Sequence, residues 1–146
     1  MTILSQGDIA VIGFQPDPVD AFSVVFLEGV NTAHSISFTE MSWTDGNSFF
    51  LSEGNITWTP PSSIAAGSVV SFIENGTNGA AFNVFINGTA AGSVQASRPD
   101  GSGNFWSMAT GGDQLFVYQG TPQNPDLIWG IDADDSDGNG AWTGTA

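Results

Sequence analysis

The chain has 146 residues, 15 Asp and Glu against a single Lys or Arg, no cysteine and a formal net charge of -14. Its one strong cation, Arg98, leaves no basic surface to neutralise nucleic-acid phosphates or to hold an anionic membrane. The absence of lysine excludes a P-loop, Schiff-base chemistry and a Lys–Asn crosslink, and the absence of cysteine excludes thiol catalysis, thiolate zinc sites and disulfides.

A hydrophobic fraction of 40% is too high for a disordered chain, and the length fits one domain that buries roughly 70% of its unfolded surface. Residues 1–6, MTILSQ, form a short apolar leader. It lacks the basic segment and the roughly 7–15-residue apolar run of a secretory signal. Cytoplasmic residence, export by a route that reads no N-terminal signal and removal of an earlier leader are therefore alternatives. No stretch reaches the ~20 apolar residues of a membrane span.

Beyond the leader, short runs rich in Val, Ile, Phe, Trp and Thr end in Gly, Pro, Asn or Asp. They predict strands near 8–14, 21–28, 35–40, 55–59, 68–74, 80–86, 105–109, 113–119 and 127–131. The expected fold is an all-β antiparallel sandwich, jelly-roll or Ig-like, of about 8–10 strands. It spans residues 7–131, with 132–146 an acidic, glycine-rich tail or calcium loop. The first two strands are apolar on both faces: Ile9 and Val11 oppose Ala10, Ile12 and Phe14, while Val24 and Phe26 oppose Val25 and Leu27. Their second face must meet a loop, a helix or another subunit. Asn87-Gly88 suits positive φ and predicts a tight hairpin, Pro60-Pro61 stops the strand before it, and 97–104 reads as an exposed loop.

Asp132-Ala-Asp134-Asp135-Ser-Asp137-Gly-Asn139-Gly140 carries the strongest local chemistry. From Asp135 it reproduces the first half of a D-x-D-x-N-G calcium loop, in which alternate oxygens turn inward and the glycine permits the sharp turn. The candidate ligands are Asp132, Asp134, Asp135, Asp137 and Asn139, with Trp142 at the usual apolar position. The twelfth position is Ala146 instead of a bidentate acid, which excludes a complete EF-hand; the competing reading is a solvated acidic turn.

His34, the only histidine, has no G-x-S-x-G elbow to serve and reads as structural. Glu28, Glu40, Glu53 and Glu74 lie in or beside strands, but no spacing brings two together as a glycosidase pair, so the chain is expected to be non-catalytic. Of five tryptophans, Trp58, Trp106 and Trp129 lie in apolar runs and read as core. Trp43 and Trp142, beside Asp/Gly turns, are the candidates for stacking on a sugar. Asn55, Asn75 and Asn87 fit the N-glycosylation pattern, at close to chance frequency for this composition.

Gly7-Asp-Ile-Ala-Val-Ile-Gly-Phe14, Asp20-Ala-Phe-Ser-Val-Val-Phe-Leu27, Ile36-Ser-Phe-Thr39, Glu53-Gly-Asn-Ile-Thr-Trp-Thr59, Ala65-Ala-Gly-Ser-Val-Val70 and Gly112-Asp-Gln-Leu-Phe-Val-Tyr-Gln-Gly120 follow one another in a distinctive order. In this order the chain resembles a β-sandwich domain of large secreted and surface proteins of bacteria, notably cyanobacteria. The resemblance covers roughly residues 7–131. It implies an exported, non-catalytic module at the cell surface or outside the cell, and it carries no catalytic residues over. In longer chains the domain accompanies calcium-binding repeats and hydrolase modules, whereas here it stands almost alone.

A small sandwich exported alone is expected to work by assembling with itself. Thr2, Ile3 and Leu4 of the leader could add as a strand to the next subunit, a contact that does not close and so builds filaments. The expected product is a homopolymeric fibre or surface matrix, with calcium at 132–139 offsetting repulsion between acidic copies. The alternative is a monomeric module that binds cell-surface or matrix polysaccharide through Trp43 or Trp142.

Overall fold

A computed structural model describes residues 4–16, 18–44, 46–75, 79–103, 106–109 and 113–133. Among these residues every regular element is a strand, and every pairing is antiparallel. They are β1 (Ile9–Gln15), β2 (Ala21–Phe26), β3 (Ile36–Thr39), β4 (Trp43–Thr44), β5 (Ser48–Phe49), β6 (Asn55–Trp58), β7 (Val69–Glu74), β8 (Ala81–Ile86), β9 (Thr89–Ser97), β10 (Gln114–Thr121) and β11 (Asn124–Asp132).

Nine strands run in one continuous order, β1-β2-β7-β8-β9-β6-β3-β10-β11, and β4 and β5 form a separate hairpin. The long β9 joins two layers. It pairs with β8 from Thr89 to Gln95, then hands Ala96 and Ser97 to β6. The ends of the order return to each other, where the Gly7 N–H donates to the Ile128 carbonyl at 3.0 Å. The sandwich is thereby nearly closed into a barrel.

Alternation builds the core. Phe22, Val24 and Phe26 of β2 face inward, as do Val70 and Phe72 of β7. They meet Phe38 of β3 and Trp58 of β6 from the other layer, with Phe22–Phe38 centroids 5.3 Å apart, Phe38–Phe72 4.7 Å and Trp58 edge-on to Phe72 at 5.6 Å. Such tilted and edge-on pairs add to the burial of large apolar area. Asn87 and Gly88 take positive φ, 49° and 79°, as the expected two-residue hairpin requires, and β6 stops before Pro60.

Two expectations are corrected. Residues 106–109 are not a strand: Trp106 and Met108 are buried, but the backbone forms a strap tied at Trp106 to the Gly79 carbonyl and at residues 107–109 to side-chain carboxylates. Conversely, β9 is a full strand although Thr-Ala-Ala-Gly-Ser-Val-Gln-Ala-Ser has no apolar alternation.

The doubly apolar strands divide into two kinds. β10 sends Leu115 and Val117 into the main core and Phe116 and Tyr118 into a second cluster with Met41 and Phe49, beneath the β4–β5 hairpin. β1 and β2 have no such cover, and Ile12 and Leu27 are 56% and 53% exposed.

Candidate functional site

The outer face of the first layer is uncovered among the described residues. Register places Val25 of β2, Val69 and Ile73 of β7 and Phe85 of β8 on that side, opposite the core-facing Phe22, Phe72 and Val84. Ile73 is 39% exposed, and the exposed Ile12 lies at the β1 bulge between Val11 and Gly13. Ser23 and Ser71 join across the face by a 2.7 Å hydroxyl hydrogen bond. β1, β2, β7, β8 and β9 together carry a single charged residue, Glu74, and it pairs opposite core-facing Phe82. Its carboxylate accepts from the Gly79 and Asp20 N–H groups at 2.7 and 3.3 Å. The face therefore carries no charge and mixes apolar side chains with Ser23, Ser71 and Asn83, while the described acids lie in loops, at strand ends and on β11.

A second feature was hidden in the sequence. Glu40 and Glu53, which spacing could not bring together, stand near Asp113 and Asp20. Glu40 is only 4% exposed. Its Oε1 accepts from the N–H groups of Gly54 and Ser107 at 3.0 and 2.9 Å. Asp20 Oδ2 accepts from Met108 N–H at 2.8 Å and Asp113 Oδ2 from Ala109 N–H at 2.9 Å, so three carboxylates hold the 106–109 strap by its backbone. Glu53 Oε2 accepts from Ser42 N–H at 2.9 Å. Burial, with the charges of Asp113 and Glu53 adding to it against the opposing N–H bonds, pushes Glu40 up to about 8. Burial likewise raises Asp113 to about 6, with Glu53 and Asp20 contributing. The oxygens are engaged with main-chain donors, and what this arrangement does chemically is fasten the strap over the core.

The third feature is a groove beside the β4–β5 hairpin, with a volume of about 450 Å³, where Trp43, Trp129 and Leu127 face Gln6. It adjoins a second space of about 660 Å³ that shares Trp43 and adds Asn124 and Asp126. Trp43 is half-buried and edge-on to Phe49, with centroids 5.2 Å apart. Trp129 corrects the expectation of a core residue, being 40% exposed, whereas Trp58 and Trp106 are core.

The remaining candidates are placed as follows. Leu4 is buried in its own chain's core, and its N–H donates to Gln119 Oε1 at 3.1 Å. Thr2 and Ile3 lie outside the described residues, as do Asp134, Asp135, Asp137, Asn139 and Trp142. Asp132 is half-buried at the end of β11, opposite Gln114. Among the described residues no group of three or more acids and histidines is placed to hold a metal. His34 is buried, and its Nδ1 lies 2.9 Å from Asn31 Oδ1, which also accepts from Ala33 N–H. Asn55 is buried and accepts from the Tyr118 hydroxyl at 2.7 Å.

Comparison with protein families, with curated proteins and with solved structures found no match for the chain.

Proposed function

We propose that the chain is a non-catalytic structural module, exported and assembled from identical copies into a fibre or surface matrix. The observation that carries this reading is the uncovered, uncharged outer face of β1, β2, β7 and β8. Copies with a net charge of -14 repel one another. They approach most cheaply where neither brings a carboxylate and both bring exposed apolar surface. The small side chains of β9, among them Ala90, Gly92 and Ser93, favour close approach of two such faces. Exposed apolar side chains grouped on an uncharged face are a usual mark of an interaction surface.

A face that packs on its own copy is isologous and stops at a dimer, so a polymer needs a second, heterologous contact. The segment around Leu4 supplies it: it lies beside β10 and β11 at the closing seam, where the equivalent segment of a neighbour can take the same place. Because Leu4 packs in its own chain's core, that exchange needs copies already held together by the uncharged face. Calcium at 132–139 offsets the charge of the acidic end, and the order of the resemblance segments supports an exported location.

Negative-stain electron microscopy at low and high salt, with calcium or chelator, tests the reading. Fibres from the full chain, dimers from a chain lacking residues 1–6 and loss of both in Ile12→Glu are expected. Scattered monomers of the full chain under every condition would refute it.

A further inference from the structure

We propose that the groove between the β4–β5 hairpin and β11 binds a neutral carbohydrate. This does not rest on the uncharged face of the first layer, because the groove lies beside the second layer, where Gln6 of the leader forms one edge of it.

The groove joins two kinds of surface that sugar recognition needs. Trp43 and Trp129 supply indole rings for the C–H faces of a pyranose, and Leu127 continues that apolar wall. Gln6, Asn124 and Asp126 are exposed and supply amide and carboxylate groups for hydroxyls. The aromatic wall is pre-set. Phe49 meets Trp43 edge-on, and Phe116 flanks it with a centroid 6.2 Å away, so the indole is held before any ligand arrives and little side-chain freedom is lost on binding. The volume of about 450 Å³ lies within the ~300–1,000 Å³ usual for small-ligand sites, and the adjoining space extends it for a second ring.

Charge selects among occupants. Asp126 borders the site in a chain with 15 acids and one strong cation, so phosphate, sulfate and uronate ligands are repelled. A ligand dense in neutral hydroxyl groups meets no such barrier. The amide and carboxylate groups along one side would lose their water to a purely apolar peptide without replacement hydrogen bonds, which disfavours that occupant.

The test is titration of the full chain with neutral oligosaccharides (gluco-, xylo-, manno- and chito-hexaoses) and with an oligogalacturonide, followed by tryptophan fluorescence and calorimetry. At least one neutral hexaose should bind, with the oligogalacturonide at least about tenfold weaker. Trp129→Ala should weaken that binding about tenfold or more at unchanged melting temperature. Asn124→Ala paired with Asp126→Ala, both at exposed positions, gives the same reading if Trp129→Ala does not fold. Absence of binding to every neutral hexaose, preference for the acidic one, or unchanged affinity in folded variants overturns the proposal. Binding of an apolar peptide but of no sugar does so as well.

Discussion

Glu40 is the residue at which this fold departs most from ordinary carboxylate behaviour. Its ordinary value is 4.5 and burial raises it to about 8, so the folded chain holds a proton that the unfolded chain releases. The stabilisation is full below about 4.5 and is lost as pH rises through about 8. Asp113, raised from 3.8 to about 6, acts in the same direction over a lower window. The melting temperature is therefore expected to fall between pH 5 and pH 8.5, by an amount corresponding to on the order of a few kcal/mol. In Glu40→Gln the amide oxygen can keep the N–H groups of Gly54 and Ser107, so that variant should show a much flatter profile and greater stability at pH 8.5. Thermal melts across this range check it, and an unchanged slope in Glu40→Gln would assign the dependence to general charge repulsion. None of this was legible in the sequence. Glu40 looked like any acid beside a strand, and its partners Ser107 and Gln114 are 67 and 74 residues away. Spacing reports helix faces and strand alternation but says nothing about such distant contacts.

At the scale of elements, the legible parts were those whose side chains alternate. β2, β7 and β8 announce themselves because every second residue is large and apolar, and the Asn87-Gly88 hairpin because its backbone needs positive φ. β9 stayed hidden because it is a strand of mostly small, exposed residues, held by ladder hydrogen bonds to β8 and β6. The 106–109 strap reads as a strand because Trp106 and Met108 alternate, yet its Trp106 N–H goes to the Gly79 carbonyl and those of Ser107, Met108 and Ala109 go to carboxylates. Two glycines separate backbone freedom from close approach. Gly88 has φ of +79° and open space around it, so Gly88→Ala should cost about 1 kcal/mol. Gly79 also has positive φ, but a Cβ there would collide with the Trp106 carbonyl, so Gly79→Ala should dislodge the strap and cost several times more. Urea unfolding of the two variants compares them, and equal losses would contradict the strap's role. The β4–β5 hairpin makes a parallel case. Phe49 packs in tilted pairs with Phe116 and Tyr118, centroids 5.2 and 5.1 Å away, and Phe49→Ala should cost about 3–5 kcal/mol although it lies outside the main core. A loss below about 1 kcal/mol would mean that the hairpin is a loose cover.

For the whole molecule, strands apolar on both faces raise a demand for cover beyond one sandwich core. The structure divides that demand. The outer side of β10 is covered from within by the hairpin, while β1 and β2 keep an apolar face that nothing in the described chain covers. The net charge of -14 then acquires a positive meaning. It keeps copies apart at low ionic strength, when the Debye length is ~30 Å, and permits contact through the uncharged face when that length falls to ~8 Å. Association should accordingly strengthen with salt, opposite to contacts made by paired charges.

Sedimentation equilibrium of the wild-type chain and of Ile12→Glu, at low and at physiological salt, decides whether copies associate through the uncharged face. The wild-type mass should rise with salt and concentration, and the variant should remain a monomer with an unchanged melting temperature. A wild-type chain that stays monomeric throughout, or a variant that associates as strongly as the wild type, would contradict it.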